Sequence, residues 1–169
     1  MFGAEQKVPK LLIATFNLSQ YSETFIRQHI DLLPFQVSVL HGEKLSVTED
    51  GADIYSCSFF QRNKNRILNR VGRFDYKQFR DQQLTDYLKK QSIEVALAEY
   101  GMGAVKIMKA CRVAGVPLVA HFHGFDAHND DVLKDFQAKY EELFKTAAAI
   151  IGVSHDMCAQ LKELGAPEA

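Results

Sequence analysis

Cysteine is scarce in this sequence, long apolar runs are absent, and the net charge is close to zero. Cys57, Cys111 and Cys158 lie far apart without Cys-x-x-Cys spacing, which fits a reducing compartment and argues against a disulfide framework or a cysteine zinc site. No segment approaches the roughly 18 apolar residues that span a bilayer, and no small-residue cleavage site follows the apolar residues 11–16. The formal net charge of −1 excludes a general electrostatic attraction to nucleic acid. We therefore expect a cytoplasmic protein with no nucleic-acid partner.

Several signatures of nucleotide-binding and nucleophilic enzymes are also missing. There is no P-loop and no nucleophile elbow, because Ser154 lies in Gly-Val-Ser-His-Asp, which lacks the second elbow glycine. The turn Glu99-Tyr-Gly-Met-Gly contains two glycines, but Lys106 stands where the dinucleotide fingerprint needs a third. A helix N-terminus at this turn would still favour a phosphate. Internal repeats and low-complexity tracts are absent.

The composition, 47% hydrophobic and 24% charged, is that of a soluble globular chain, and its length favours a single domain over residues 1–169. Short apolar runs predict strands at residues 10–16, 35–40, 54–60, 93–98, 117–123 and 147–153. Helical periodicity and capping residues predict helices at 22–33, 75–91, 104–114, 130–146 and from 154 onward. We expect Gly115 to end the third helix, and Asp130 and Ser154 to cap the last two. This alternation predicts a Rossmann-like three-layer α/β/α domain with a mostly parallel sheet.

The most informative stretch runs from Gly115 to His128, Gly-Val-Pro-Leu-Val-Ala-His-Phe-His-Gly-Phe-Asp-Ala-His. In an extended segment, Val119, His121 and His123 share one face and the intervening apolar residues share the other. The carboxyl edge of a parallel sheet is where ligands bind, so we place the candidate site there. We expect His123 to contact a ligand and His121 to be a hydrogen-bonded core histidine. Asp126 either accepts a hydrogen bond from a sugar hydroxyl or fixes the loop.

Metal binding by these residues is an alternative. Imidazole and carboxylate ligands suit zinc, iron or manganese. However, Asp126 and His128 follow His121 at offsets of five and seven residues, which differs from the His-x-His-x-Asp-His pattern of metallo-β-lactamase-like hydrolases. Amidohydrolases need a barrel of roughly 200 residues or more. A metal-dependent hydrolase that uses His121, His123 and Asp126 stays open, as does a stand-alone ligand-binding module without catalysis.

Residues 61–74 form a basic stretch with no acidic residue. Its arginines at helical spacing are Arg62, Arg66, Arg70 and Arg73. Such a stripe suits anionic lipid headgroups or a phosphorylated substrate. The simpler interpretation is a solvated helix face.

Several motifs, taken in order, resemble the N-terminal half of family 4 glycosyltransferases of the GT-B fold, in particular bacterial enzymes of exopolysaccharide, lipopolysaccharide and colanic acid assembly. The matching segments are Ser22-Glu-Thr-Phe-Ile, Ala98-Glu-Tyr-Gly, Gly115 to Asp126, Ile151-Gly-Val-Ser and Leu161-Lys-Glu-Leu-Gly-Ala-Pro. Together they cover nearly the whole chain from Leu11 to Pro167.

The resemblance implies transfer of a sugar, with retention of configuration, from a nucleotide sugar to a glycan or lipid-linked acceptor. The N-terminal domain would hold the acceptor. The nucleotide-sugar domain, with its Glu-x7-Glu motif, is absent from this chain, so we expect the fragment alone to be inactive. No metal or other cofactor is implied. The basic stretch would contact the inner face of the plasma membrane as a peripheral attachment.

The resemblance also implies roles for individual residues. His123 matches the histidine that lines the reaction crevice, and it is our candidate catalytic residue. The candidate acceptor-binding residues are Ser22, Glu23, Thr24, Glu99, Tyr100, Gly101, Gly124 and Asp126. The resemblance names no general base, and the donor sugar, the linkage and the oligomeric state are not readable from the sequence.

Overall fold

The computed structural model describes residues 7–18, 24–56 and 75–168, which form a six-stranded sheet flanked by helices. The strands are β1 (Lys10–Ala14), β2 (Gln36–His41), β3 (Val47–Thr48), β4 (Val95–Glu99), β5 (Leu118–Phe122) and β6 (Ala149–Gly152). The helices are α1 (Thr24–Leu32), α2 (Tyr76–Gln91), α3 (Gly101–Ala114), α4 (Gly124–His128), α5 (Asp130–Thr146) and α6 (His155–Glu163).

The sheet has the strand order β3-β2-β1-β4-β5-β6. All neighbouring pairs are parallel except β2 and β3, which are antiparallel. From β1 the chain proceeds outward to β2, and it later returns to β4 on the other side of β1 and continues outward to β6. The expected Rossmann-like α/β fold is therefore confirmed, with its topological switch point between the carboxyl ends of β1 and β4.

The two faces of the sheet bury different side chains. Leu118, Ala120 and Phe122 of β5 belong to the larger core, which also contains buried residues of α2, α3, α5 and α6. Val119 packs on the opposite face, in a smaller cluster that includes Ile13 and residues following α1. The alternation predicted for β5 is thus confirmed, and it leaves His121 on the side of Val119.

Two predicted capping residues, Gly115 and Ser154, are confirmed, and Asp75 is a further cap that was not predicted. The Asp75 carboxylate accepts hydrogen bonds from the backbone N–H groups of Lys77 and Gln78, and it caps α2. Gly115 ends α3 in the left-handed conformation, with φ 74°, which costs glycine little. Ser154 accepts from the backbone N–H of Met157 and caps α6. None of the described helices is long and apolar enough to cross a membrane.

Other boundaries differ from the predictions. Residues 54–56 form a turn instead of the start of a strand, because the Asp53 side chain accepts from the Tyr55 N–H and the Asp53 carbonyl accepts from the Ser56 N–H. The rest of that predicted strand, 57–60, and the basic stretch lie outside the described residues. β3 lies between two predicted strands, where no strand was predicted, and the short helix α4 was not predicted. Asn129, not Asp130, caps α5, and α3 begins at Gly101, three residues earlier than predicted.

Candidate functional site

A fully buried carboxylate at the carboxyl end of β4 lies at the centre of the candidate site. Glu99 is 0% exposed and contacts three imidazoles. Its Oε1 lies 2.6 Å from His29 Nδ1, and its Oε2 lies 2.9 Å from His121 Nδ1 and 3.1 Å from His123 Nε2. We call these four residues the histidine–carboxylate cluster.

The fold brings these residues together from three separate elements. Glu99 and His121 are paired positions of the parallel strands β4 and β5, so their side chains project from the same face of the sheet. His123 follows β5 by one residue, two positions after His121, and therefore returns to that face. His29 comes from α1, the helix after β1, and Ile26 of this helix is buried. The cluster therefore lies at the switch point, where α/β sheets bind ligands.

The hydrogen bonds keep Glu99 ionised despite its burial. Burial alone would raise the pKa of Glu99, but the hydrogen bonds from His121, His123 and His29 outweigh it and lower the pKa to about 2. Because an ionised carboxylate only accepts hydrogen bonds, each of the three contacting ring nitrogens carries a proton. Three N–H donors thus stabilise the one buried negative charge of the cluster.

Aromatic side chains surround His123. Its ring stacks on Phe25 at a centroid distance of 4.4 Å and an interplanar angle of 29°. The rings of Tyr100 and His121 lie 4.7 and 4.3 Å away. The His123 side chain is only 12% exposed. These contacts, together with the bond to Glu99, fix the orientation of the imidazole.

Asp126 joins the two turns that frame the cluster. Its carboxylate is fully buried and accepts hydrogen bonds from the backbone N–H groups of Gly101 and, at 2.7 Å, of His123. Burial raises the pKa of Asp126, while these backbone hydrogen bonds act in the opposite direction. Tyr140 donates to the Asp126 carbonyl at 3.2 Å. Of the two roles considered for Asp126, the geometry supports the one that fixes the loop.

The same contact changes the interpretation of the N-terminus of α3. The helix N-terminus at the turn Glu99-Tyr-Gly was interpreted as favourable for a phosphate, and the Gly101 amide there is bonded to the Asp126 carboxylate. A side-chain carboxylate near a helix N-terminus is favourable for the helix dipole. The chain thus supplies its own anion at this amide, and a phosphate at this turn would have to use other groups.

The turn after β4 has an unusual backbone. Tyr100 has φ 72° and ψ 137°, a region that non-glycine residues rarely occupy and that costs on the order of 1–3 kcal/mol. Its N–H donates to the His121 carbonyl at 2.9 Å. At the next residue, a Cβ on Gly101 would overlap the ring of Phe122. Close packing at this turn therefore depends on glycine at position 101.

The structure assembles five of the predicted site residues, namely Glu99, Tyr100, Gly101, His123 and Asp126. Glu99 differs from the expectation of a loop residue, because it ends a strand and is fully buried. Thr24 and Gly124 are the exposed first residues of α1 and α4. The predicted residues outside the described part of the chain are Ser22, Glu23, Arg62, Arg66, Arg70 and Arg73. His128 instead pairs with Asp156, 3.6 Å away.

Two features of the cluster were not predicted from the sequence. His29 recurs with Phe25 and Ile26 at helical spacing on the inner side of α1. This spacing predicted the side of the helix on which His29 lies, but it did not predict the role of this residue. The histidine–carboxylate partnership was also missed. His121, His123 and Asp126 were considered as metal ligands, but both Asp126 oxygens accept backbone N–H groups. The donors that lie together in the described part of the chain are His29, Glu99 and His121.

No protein-family model matches the chain, and no curated protein matches it. The fold and the site therefore define the class of protein, a Rossmann-like α/β domain with a buried histidine–carboxylate cluster at its switch point.

Proposed function

We propose that this chain is the acceptor-binding half of a retaining glycosyltransferase, which transfers a sugar from a nucleotide sugar to a glycan or lipid-linked acceptor. The pathway would be cell-surface polysaccharide synthesis. The observation that carries the proposal is the meeting of three sequence motifs at one sheet edge. Phe25, Glu99 and His123 belong to motifs that resemble the glycosyltransferase family, and hydrogen bonds and ring contacts connect them through His29 and His123.

The chemistry of this edge suits a carbohydrate. The rings of Phe25 and Tyr100 offer apolar surface, while His123 offers a polar ring between them. Binding sites commonly combine aromatic walls with a few oriented polar groups in this way. The space next to Gly124 is also open, since a Cβ there would meet no atom within 4 Å. An acceptor hydroxyl would approach His123 from this side.

The source gene, read past the codon for Ala169, provides the first test. We expect on the order of 200 further codons, consistent with a second domain of ordinary size, that contain Glu-x7-Glu and an upstream basic residue. The product of that gene should transfer radiolabelled sugar from one of a panel of nucleotide sugars to membranes of the source cells. A stop codon directly after Ala169 would overturn the proposal, because the chain would then have no donor site.

Variants of the gene product test whether the transfer reaction depends on the histidine–carboxylate cluster. His123→Ala should abolish most of the transfer, whereas His128→Ala should leave it unchanged, because His128 lies outside the cluster and pairs with Asp156. Equal activity of the two variants would contradict a role for His123. Far-UV circular dichroism and thermal melting of both variants control for loss of the fold.

The location belongs to the same proposal. The protein would work in the cytoplasm, with peripheral contact to anionic lipid at the inner membrane face through the basic stretch. Flotation of the chain with anionic liposomes at low salt tests this contact. Binding that is lost on charge reversal of Arg62, Arg66 and Arg70 supports it. No flotation, or flotation unchanged by the charge reversal, overturns the membrane contact.

A further inference from the structure

The histidine–carboxylate cluster has the composition of a transition-metal site. His29, Glu99 and His121 each offer one ligand atom, and these atoms all lie within 4.8 Å of one another. Two imidazoles and one carboxylate are a ligand set that Zn²⁺ and related ions accept, and sites with three protein ligands keep one position for water or substrate. The resemblance to glycosyltransferases implies no metal, so this feature goes beyond the proposed function.

A cation next to Glu99 would also compensate the buried charge of its carboxylate. Within residues 7–18, 24–56 and 75–168, the ion-pair partners of Glu99 are the three histidines, and no lysine or arginine pairs with it. The His121 ring lies 4.3 Å from that of His123 and 5.4 Å from that of His29, so the three rings converge on this one carboxylate. A divalent ion bound between them would supply positive charge next to the carboxylate.

We propose that His29, Glu99 and His121 bind a divalent transition-metal ion of the zinc class, with the fourth position open toward His123 and the crevice. The His29 and His121 Nδ1 atoms would be the ligands. In the metal-free cluster these atoms carry the ring protons that bond to Glu99, so binding moves each proton from Nδ1 to Nε2 and leaves the rings neutral. The ion thereby replaces two hydrogen bonds to Glu99 with three coordinate bonds, one from each ligand residue.

The geometry requires only small movements. Ligands of tetrahedral zinc lie roughly 2.0–2.2 Å from the ion, which puts two ligand atoms roughly 3.3 Å apart. The distances from the Glu99 oxygens to His29 and His121 Nδ1 are 2.6 and 2.9 Å. Because these distances involve different Glu99 oxygens and the three ligand atoms lie within 4.8 Å of one another, each pair would change its separation by at most about 1.5 Å. His29, whose side chain is 29% exposed, is the ligand with room to move, whereas His121 is packed into β5.

The chain contains a matched comparison. His128 Nε2 lies 3.6 Å from Asp156 Oδ2, and these side chains are 43% and 91% exposed. Among the described residues, no third ligand joins this imidazole and carboxylate, and both side chains are exposed. We therefore expect weak binding there, and His128→Gln is the control for loss of a histidine that is not a ligand.

The test titrates Zn²⁺ into the full chain after its affinity tag is cleaved and metals are removed with chelator. Calorimetry should give one equivalent of tight binding, and Co²⁺ should give the visible absorption of a tetrahedral site. His29→Gln keeps an N–H donor for Glu99 but removes the imidazole ligand, and it should weaken Zn²⁺ binding at least about 100-fold, by analogy with the 10–100-fold losses on removing outer-shell partners. His128→Gln should change it by less than about two-fold. Absence of stoichiometric binding, or equal binding by His29→Gln and His128→Gln, overturns the proposal.

A second readout uses only the unchanged sequence, so it does not depend on how variants fold. Long-range ¹H–¹⁵N spectra distinguish the Nδ1–H and Nε2–H tautomers of neutral histidine. Zn²⁺ should convert His29 and His121 from the first form to the second, while His41, His128 and His155 stay unchanged. Perturbation of those three histidines instead of the cluster would overturn the site. This outcome is separate from the transferase proposal, which the gene and the transfer assay decide.

Discussion

The Asp126 carboxylate accepts a hydrogen bond from the backbone N–H of Gly101, 25 residues earlier in the chain. One oxygen of this carboxylate therefore holds the turn after β4, and the other holds the turn after β5 through His123. The side chains that the two turns present, Glu99 and His123, keep their relative positions because of this connection. A buried residue away from the exposed crevice surface thus sets the geometry of the candidate site.

Asp126→Asn should destabilise the chain by about 1–3 kcal/mol, because an amide has one acceptor oxygen where the carboxylate has two, and its NH₂ would face a backbone N–H. Urea denaturation measures the change. Asp135→Asn, at an exposed position in α5, is the control and should remain within about 0.5 kcal/mol of the unchanged chain. Equal stabilities of the two variants would show that the Asp126 contacts contribute little.

Gly101→Ala should destabilise the fold by about 1–3 kcal/mol, because the new methyl group would overlap the Phe122 ring in the core. Gly103→Ala is a matched control two residues later in α3. Its Cβ would meet Leu45 Cδ1 and Phe16 Cε2 at 3.8 Å, which is ordinary contact, and alanine favours the helix over glycine by about 0.5–1 kcal/mol. In thermal melting, the change in Tm relative to the unchanged chain should be negative for Gly101→Ala and positive for Gly103→Ala. A neutral Gly101→Ala would disprove the close packing.

Glu99→Gln should be less stable than the unchanged chain at neutral pH when chelator is present. The pKa of Glu99 is lowered from 4.5 to about 2 in the folded state, so the stability that the ionised form contributes is complete above about pH 4.5 and is lost as the pH falls toward 2. The stability difference between the two proteins should therefore shrink over this interval. Urea midpoints at several pH values measure it. Glu163→Gln, in an exposed part of α6, should show no such trend.

Cys111 should resist alkylation in the folded protein, whereas Cys158 should react. Burial raises the pKa of the Cys111 thiol to about 12, and the thiolate is the reactive form. Cys158 is exposed. Mass spectrometry of peptides after timed treatment with iodoacetamide at pH 8 distinguishes the two sites. In denaturant the two rates should converge, and similar rates without denaturant would contradict the burial of Cys111.

The features that local sequence patterns determine were predictable. The period of two along β5 placed His121 opposite the core residues Ala120 and Phe122, and Gly115 marked the end of α3 because its left-handed conformation favours glycine. The alternation of strands and helices was sufficient for the fold class. These features depend on residues that are close in sequence.

The features that depend on distant contacts were not predictable in this way. His29 and Glu99 are 70 residues apart, and no periodicity within α1 or β4 reveals that they meet. Residues 54–56 have the apolar character of a strand, but the hydrogen bonds of Asp53 turn the backbone. The early start of α3 at Gly101 is accompanied by a hydrogen bond from the Gly101 N–H to the Asp126 carboxylate. In the last two cases a specific hydrogen bond accompanies the departure from the predicted local structure.

The His29–Glu99 hydrogen bond has a further consequence because of where it lies. Glu99 and His123 belong to strand ends that Asp126 holds together, but His29 reaches the same carboxylate from the helix that follows β1. Of the bonds in the cluster, it is the one that crosses the switch point. A molecule that enters between the ends of β1 and β4 must either lengthen this bond or fit beside it. A molecule that lengthens the bond would change the environment of the His29 imidazole, so the NMR signals of this ring would show without any added label that the crevice is filled.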